Sequence, residues 1–225
     1  GRFWIAYNGE VYNFRDIRSD LVKKGYSFFS NSDTEVILKA YIEWAGDCQE
    51  KFNGVWAITI WDNLEKKLWI SRDRLGVKPL YYLFTDNFFV VCSEVKSILL
   101  ISGIEPNYRE ISAYLIDGPS ESHPETFFRG VYRFPSGYSA TYYPDKKERE
   151  LKFKMFWELG AFNEDYSFSE KKLEEYAEQY NYLLEDAVRL RLYADVKVGC
   201  ALSGGLDSSS ISFLADRIVN ENGKA

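Results

Sequence analysis

The chain has 225 residues, 46% of them hydrophobic and 28% charged, which excludes a disordered or fibrous protein and suffices for one large domain or two smaller ones. Its 28 basic and 34 acidic residues give a net charge of -6 without any Lys/Arg block, so no nucleic-acid partner is expected. No apolar run approaches the roughly 20 residues that span a bilayer, and the N-terminus lacks a basic-then-apolar secretory pattern, so the expectation is a cytoplasmic protein with no membrane partner.

In chain order, FWIAYNGEVYNF reads as a strand, an Asn8–Gly9 turn and a return. Phe14, Ile17, Leu21 and Val22 then fall on one helical face that Gly25 closes. Ser32 and Glu35 have the spacing of a capping box, and Val36, Ile37, Ala40, Tyr41 and Trp44 form the apolar stripe of a second helix. From there the period is two: VWAITIWD, KLWISRD, PLYYLF and NFFVVCS are separated by NLEKK, RLGVK and TDN, the pattern of a meander. Two further helices, EVKSILLIS and REISAYLI, precede strands around FRGVYRFPSGYSATYY and LKFKMFWEL. Helices grouped apart from consecutive strands predict an α+β layered domain.

The composition changes at GAFNEDYSFSE, a polar link that puts a domain boundary near residues 156 to 168. Beyond it Leu173, Tyr176, Ala177, Tyr180, Leu183, Leu184, Ala187 and Val188 step by three and four, giving an amphipathic helix that Ser167 and Glu170 would cap. VKVGCAL then reads as a buried strand, followed by the loop SGGLDSS and a helix through ISFLADRIV. Strand, glycine loop, helix predicts the opening of a parallel α/β domain.

Cys48, Cys92 and Cys200 form no CxxC pair and no metal-ligand spacing, and read as reduced, buried small hydrophobes. The single His123 lies in a polar, turn-like stretch with no second histidine, so a structural or exposed role is expected and a Ser-His-Asp triad is not. The chain starts on Gly and stops one helix after the glycine loop, so both ends read as cut.

A glycine pair between strand and helix lets backbone amides approach an anion, and the helix N-terminus favours negative charge. In SGGLDSS, Gly204 and Gly205 offer amides, Ser203, Ser208 and Ser209 offer hydroxyls, and Asp207 could hold Mg²⁺. The loop lacks the Lys of a Walker A motif. A tight turn in which Asp207 or Ser208 only caps the helix is the competing reading. SGGLDSS resembles the pyrophosphate-binding loop of the ATP-pyrophosphatase superfamily, whose ligases cleave ATP between the α and β phosphates and act on many acceptors. That resemblance implies ATP and Mg²⁺ as cofactors, with Leu202 presenting its backbone to the nucleotide.

The pieces YNGEVYNF, SDTEVIL, FNGVWAITIWD, RDRLGVKPLYY and SEVKSIL occur in an order that resembles the class II glutamine amidotransferase domains of asparagine synthetases. Taken singly, each has a structural reading: a hairpin at Asn8–Gly9, a first-turn helix charge at Asp33, a solvated pair network at Arg72, Asp73 and Arg74. Their joint order carries the resemblance. It implies an N-terminal-nucleophile αββα glutaminase sandwich over residues 1–157, lacking its first strand, and the start of a doubly wound α/β PP-loop domain over residues 168–225, cut at its C-terminus.

By the same resemblance, Asn8 (side-chain amide) and Gly9 (backbone N–H) are the catalytic oxyanion donors. Asn8, Gly9, Glu10 and Asp33 bind glutamine, and Arg72 to Lys78 support the architecture. The nucleophile is an N-terminal cysteine, and an arginine grips the glutamine carboxylate; both would precede this segment, so the isolated chain is expected to be inactive. The implied substrates are glutamine, aspartate and ATP, with aspartate activated as β-aspartyl-AMP and a homodimer left open. Two alternatives stand beside this: a β-lactam-synthetase-like or other adenylating ligase for a different carboxylate, and a non-catalytic relative that binds glutamine or nucleotide.

Overall fold

In the computed structural model, which describes residues 1–101, 103, 105–119, 123–145, 150–161 and 169–221, the alternating N-terminal segment is one unbroken strand, β1 (Phe3–Val11). Phe3, Ile5, Tyr7 and Val11 face the first core, while Trp4, Ala6, Asn8 and Glu10 are exposed. The expected turn at Asn8–Gly9 is therefore corrected. Both residues continue an antiparallel ladder with β2 (Gly54–Asp62), Asn8 opposite Ala57 and Gly9 opposite Trp56. Gly9 is needed for close approach rather than for a turn: a Cβ there would stand 2.2 Å from the Val55 carbonyl oxygen and 2.8 Å from Trp56 Cα.

Helix α1 (Phe14–Lys23) buries Ile17 and Leu21, but Val22 is 53% exposed and lies off the expected face. Gly25 ends it as foreseen, at φ +94. The Gly25 amide donates to Val22 O at 2.9 Å and the Tyr26 amide to Leu21 O at 3.0 Å, the paired bonds of a Schellman closure. Helix α2 (Asp33–Trp44) is capped by Ser32, whose hydroxyl accepts from the Thr34 amide at 3.2 Å. Glu35 does not close the expected box. Its carboxylate accepts from the Phe29 and Ser30 amides and pairs with Lys39 at 2.7 Å, tying the preceding loop to the helix.

The strands form two antiparallel sheets. One has the order β1-β2-β3-β7-β8, with β3 (Lys67–Arg72), β7 (Tyr138–Tyr142) and β8 (Lys152–Met155); the other is β5-β4-β6, from β4 (Tyr81–Phe84), β5 (Phe89–Cys92) and β6 (Val131–Arg133). Three cores define the layering. Val36, Ile37, Ala40 and Tyr41 of α2 pack with Trp56, Ile58, Ile60 and Trp69 on one face of the larger sheet. Ala57, Ile70 and Ala140 on its other face meet Tyr82, Phe89 and Val91 of the smaller sheet. Leu83 and Val131 on the far face of that sheet meet Ile98 of α3 (Val95–Leu99). Helix, sheet, sheet and helix thus stack in four layers, each apolar face covered by the next. Helix α4 (Tyr108–Asp117) buries none of its residues.

The RLGVK segment is a locked turn, not a solvated pair network. Buried Asp73 accepts from the amides of Trp56, Leu75, Val77 and Lys78 at 2.9–3.2 Å, and buried Arg72 donates to the carbonyls of Gly76, Lys78 and Phe134 at 2.6–2.8 Å. Backbone groups thus satisfy both buried charges.

The chain divides into two compact units, Gly1–Leu159 and Gly160–Ala225. In the second, α5 (Glu170–Arg191) packs on α6 (Leu206–Glu221) through Val188, Leu214 and Ile218. Ser169 caps α5 by accepting from the Lys172 amide at 3.1 Å, whereas Ser167, the expected cap, lies outside the described residues. Leu173, Tyr176, Tyr180 and Leu183 of the expected stripe are exposed. VKVGCAL is not a strand here. Val196 and Val198 are 77% and 52% exposed, and no described strand pairs with the segment; without a hydrogen-bonded neighbour an apolar run has nothing to hold it extended. Cys200 is consequently exposed, contrary to expectation.

Candidate functional site

The outer edge of β1 is unpaired among the described residues. Which backbone groups it presents follows from the ladder. The Trp56 amide donates to Asp73 Oδ2 at 3.2 Å, and the Trp56 carbonyl accepts from the Asp73 amide at 2.9 Å, so both point toward β3. Gly9, opposite Trp56, is then in a non-hydrogen-bonded pair, and its N–H is directed away from β2 to the open edge. Val11 shares this alternation: its N–H donates outward to Asp33 Oδ2 at 3.2 Å.

Asp33, the first residue of α2, does more than favour its helix terminus. Its Oδ2 also accepts from the Tyr7 hydroxyl at 2.7 Å, and its Oδ1 accepts a longer bond, 3.4 Å, from Thr34 Oγ1. Tyr7 and Val11 flank Asn8, Gly9 and Glu10 in sequence, so the helix ties its carboxylate to both ends of this candidate stretch. Burial first, then the Asp33 charge and hydrogen bond, raises the Tyr7 phenol far above its ordinary value, so it stays a donor. Asn8 and Glu10 project from the opposite, exposed face of the strand. The Asn8 amide nitrogen donates to Ser93 Oγ, just after β5, at 3.3 Å.

No described cysteine is built as a nucleophile. Cys48 is fully buried, and desolvation pushes its thiol well above the usual range. Cys92 packs toward the third core and donates to Glu94 O at 3.1 Å; burial raises it as well. Cys200 belongs to the second unit. His123 is exposed, and its carbonyl accepts from Arg133 Nη1 at 3.2 Å.

In the second unit, Leu202 to Gly205 lead into α6, whose first turn carries Asp207, Ser208 and Ser209. Gly204 has φ +83, a conformation that favours glycine, and a Cβ there would meet no heavy atom within 4 Å, so the loop backbone is open to an approaching group. Ser203 Oγ and Ser208 Oγ lie 3.0 Å apart, the Ser203 amide donates to Ser208 Oγ at 3.3 Å, and Ser208 Oγ donates to Gly205 O at 3.2 Å. The Ser209 amide bonds Gly205 O at 3.1 Å. Asp207 sits exposed in the first turn of α6. Two clustered hydroxyls, an accessible glycine backbone and one exposed carboxylate suit a phosphate oxyanion bridged by a divalent cation. No described cluster of three or more His, Cys, Asp or Glu side chains forms a self-contained metal cage.

The sequence reading did not single out Tyr7 or Ser93. Ser93 lies in the recognised SEVKSIL stretch, but no spacing signal links it to Asn8. Tyr7 reads as an ordinary strand aromatic, and its partner is 26 residues away.

Residues 1–157 match the family described as glutamine amidotransferase domain, and residues 179–224 match the one described as asparagine synthase. The chain belongs to the glutamine amidotransferase domain family, joined to the start of an asparagine synthase domain. It is 35% identical to asparagine synthetase (glutamine-hydrolyzing) 3 of Bacillus subtilis strain 168, over 99% of this chain and 35% of that protein. Against the putative asparagine synthetase (glutamine-hydrolyzing) 2 of Methanocaldococcus jannaschii the identity is 37%, over 92% of this chain and 39% of that protein. The amidase chry2 of Gibberella zeae is 31% identical over 100% of this chain and 32% of its own length. The chain thus spans about a third of the length of these curated relatives. A solved glutamine phosphoribosylpyrophosphate amidotransferase from B. subtilis, complexed with ADP and GMP, is 17% identical with a TM-score of 0.47, over 69% of this chain and 29% of that one. No described helix is long and apolar enough to cross a membrane.

Proposed function

We propose that the chain is the glutamine-handling part, with the opening of the nucleotide-handling part, of a glutamine-dependent asparagine synthetase acting in the cytoplasm. The observation that carries this reading is the β1 edge, where Asn8, Gly9 and Glu10 are bracketed by the two bonds of the Asp33 carboxylate. Hydrolysis of the glutamine amide passes through a tetrahedral oxyanion. The outward Gly9 amide and the Asn8 carboxamide supply its donors, while Glu10 and Asp33 hold the amino-acid end. The four-layered unit is then an N-terminal-nucleophile sandwich whose attacking thiol is the N-terminal cysteine of the longer protein, a role for which Cys48, Cys92 and Cys200 are unsuited.

The SGGLDSS loop takes the second half of the chemistry. ATP with Mg²⁺, when bound, would supply the activating nucleotide and the pyrophosphate leaving group that let ammonia amidate the aspartate carboxylate, the products being asparagine, AMP and pyrophosphate. Toward it, Leu202, Ser203, Gly204, Gly205, Ser208 and Ser209 would cradle the phosphates through backbone and hydroxyl groups, and Asp207 would be the metal contact. One second reading is adenylation of a different carboxylate, since loops resembling SGGLDSS serve ligases with many acceptors. Carboxylate-dependent pyrophosphate release by the full-length protein, with aspartate against other acids, decides between them.

The test of the first reading is Asn8→Ala in the full-length protein. Glutamine-dependent synthesis should fall about a hundredfold, while synthesis from added ammonia, which bypasses the oxyanion, stays close to the parent. Equal loss of both would make Asn8 a structural strand residue.

A further inference from the structure

We infer that Tyr7 is a positioning residue for substrate recognition: its hydroxyl fixes the Asp33 carboxylate that receives the α-ammonium group of glutamine. The inference rests on the glutaminase reading above and deepens it. Three observations carry it.

First, the geometry is specific. Tyr7 Oη donates to Asp33 Oδ2 at 2.7 Å, and the Val11 amide donates to the same oxygen at 3.2 Å. Oδ2 is thereby committed to the protein, whereas among the described residues Oδ1 accepts the long Thr34 bond of 3.4 Å. A carboxylate with one oxygen anchored and the other lightly held keeps its orientation and presents the second oxygen to a cation. Second, the phenol cannot easily exchange roles. Its proton is held on oxygen by burial and by the neighbouring carboxylate, so it donates throughout and never competes as an anion. Third, the ring is itself positioned by the strand. Tyr7 Cε2 lies 3.0 Å from where a Gly9 Cβ would stand, so a ring carbon borders the space that glycine leaves. One side chain therefore lines the Gly9 backbone and orients Asp33.

The lost bond is charge-assisted, and such bonds contribute enough to change affinity about tenfold. Tyr7→Phe in the full-length protein should thus raise KM for glutamine about tenfold with kcat within about twofold, leaving ammonia-driven synthesis unchanged as the check on folding. The decisive readout is discrimination between L-glutamine and glutaramate, the analogue without the α-amino group. Tyr7→Phe should lower that ratio about tenfold because only glutamine uses Asp33, and Asp33→Asn should lower it further.

If Asp33→Asn loses discrimination but Tyr7→Phe keeps it, the positioning role is wrong and the glutaminase site stands. If Tyr7→Phe weakens glutamine and glutaramate equally, Tyr7 is only structural and the inference fails. If Asp33→Asn discriminates like the parent, the assignment of Asp33 falls and the inference with it. Should Tyr7→Phe not fold, Tyr7→Met removes the same hydroxyl with different packing and carries the same test.

Discussion

Asn8 on β1 and Ser93, just after β5, are joined by a 3.3 Å hydrogen bond from the Asn8 amide nitrogen to the serine oxygen. It connects the exposed edge of the larger sheet to the smaller one. An amide has two N–H bonds, so one can be anchored here while the other remains for a substrate oxygen. Ser93→Ala should release the anchor without removing the donor. We expect glutamine-dependent kcat to fall roughly three- to tenfold, less than for Asn8→Ala, because orientation is lost but the group is kept. An unchanged kcat would show that Asn8 holds its place without Ser93.

The proposed phosphate-binding role of the SGGLDSS loop is tested by Asp207→Asn. The change nearly preserves volume and helix-capping ability but removes a charge that a divalent cation needs. In the full-length protein, aspartate-dependent pyrophosphate release should drop by orders of magnitude, while glutamine hydrolysis changes much less. Pyrophosphate release within about twofold of the parent at saturating Mg²⁺ would reduce Asp207 to a first-turn helix residue.

Gly9 makes a stability prediction independent of any ligand. A methyl group there must push against the Val55 carbonyl oxygen, 2.2 Å away, and Trp56 Cα, both backbone atoms that cannot rotate aside. Gly9→Ala should cost at least about 2 kcal/mol, the scale of an overpacked core. Gly204→Ala, where the space is empty and only φ +83 opposes the change, should cost about 1 kcal/mol. Urea unfolding followed by tryptophan fluorescence for Gly9→Ala, and by helical circular dichroism for Gly204→Ala, measures both. Equal costs would refute the packing argument.

Acid should weaken the first unit through two carboxylates. Asp62 is held at about 2 by its paired bonds to Arg2, 3.0 and 2.7 Å long, against the opposing effect of burial. For Glu35 burial acts upward, but bonds from Lys39, Ser30 and the Phe29 and Ser30 amides outweigh it and bring the group to about 2. Both folded values lie below the ordinary 3.8 and 4.5. Their stabilising contribution is therefore complete above about pH 4.5 and is lost as pH falls toward 2. Thermal melts from pH 5 to 2 should show a smaller decline for Asp62→Asn than for the parent. Parallel declines would mean that other groups govern the acid limit.

Much of the layering was legible because its signals are local. The α2 stripe and the Gly25 closure each need only a few neighbouring residues to be recognised. Asn8–Gly9 misled because an Asn-Gly pair between alternating apolar residues satisfies a hairpin and a strand equally, and only the approach of Val55, 46 positions later, selects the strand. VKVGCAL misled for the complementary reason: apolar composition states that a segment can be buried, not that a pairing strand is present. The Asp33 bonds were invisible because they depend on how α2 docks against β1. At SGGLDSS the sequence displayed the donor types in full, and the structure adds which hydroxyls meet.

The depths of the three thiols have a practical consequence. Cys200 is exposed, Cys92 is half-buried with its proton directed to a carbonyl, and Cys48 is sealed within the core. A small alkylating reagent added to the folded chain would mark them in that order. Mass spectrometry of the labelled peptides would then resolve the history of a sample. A tag on Cys200 reports only accessible second-unit backbone, a tag on Cys92 reports loosening beside the smaller sheet, and a tag on Cys48 records that the principal core has opened.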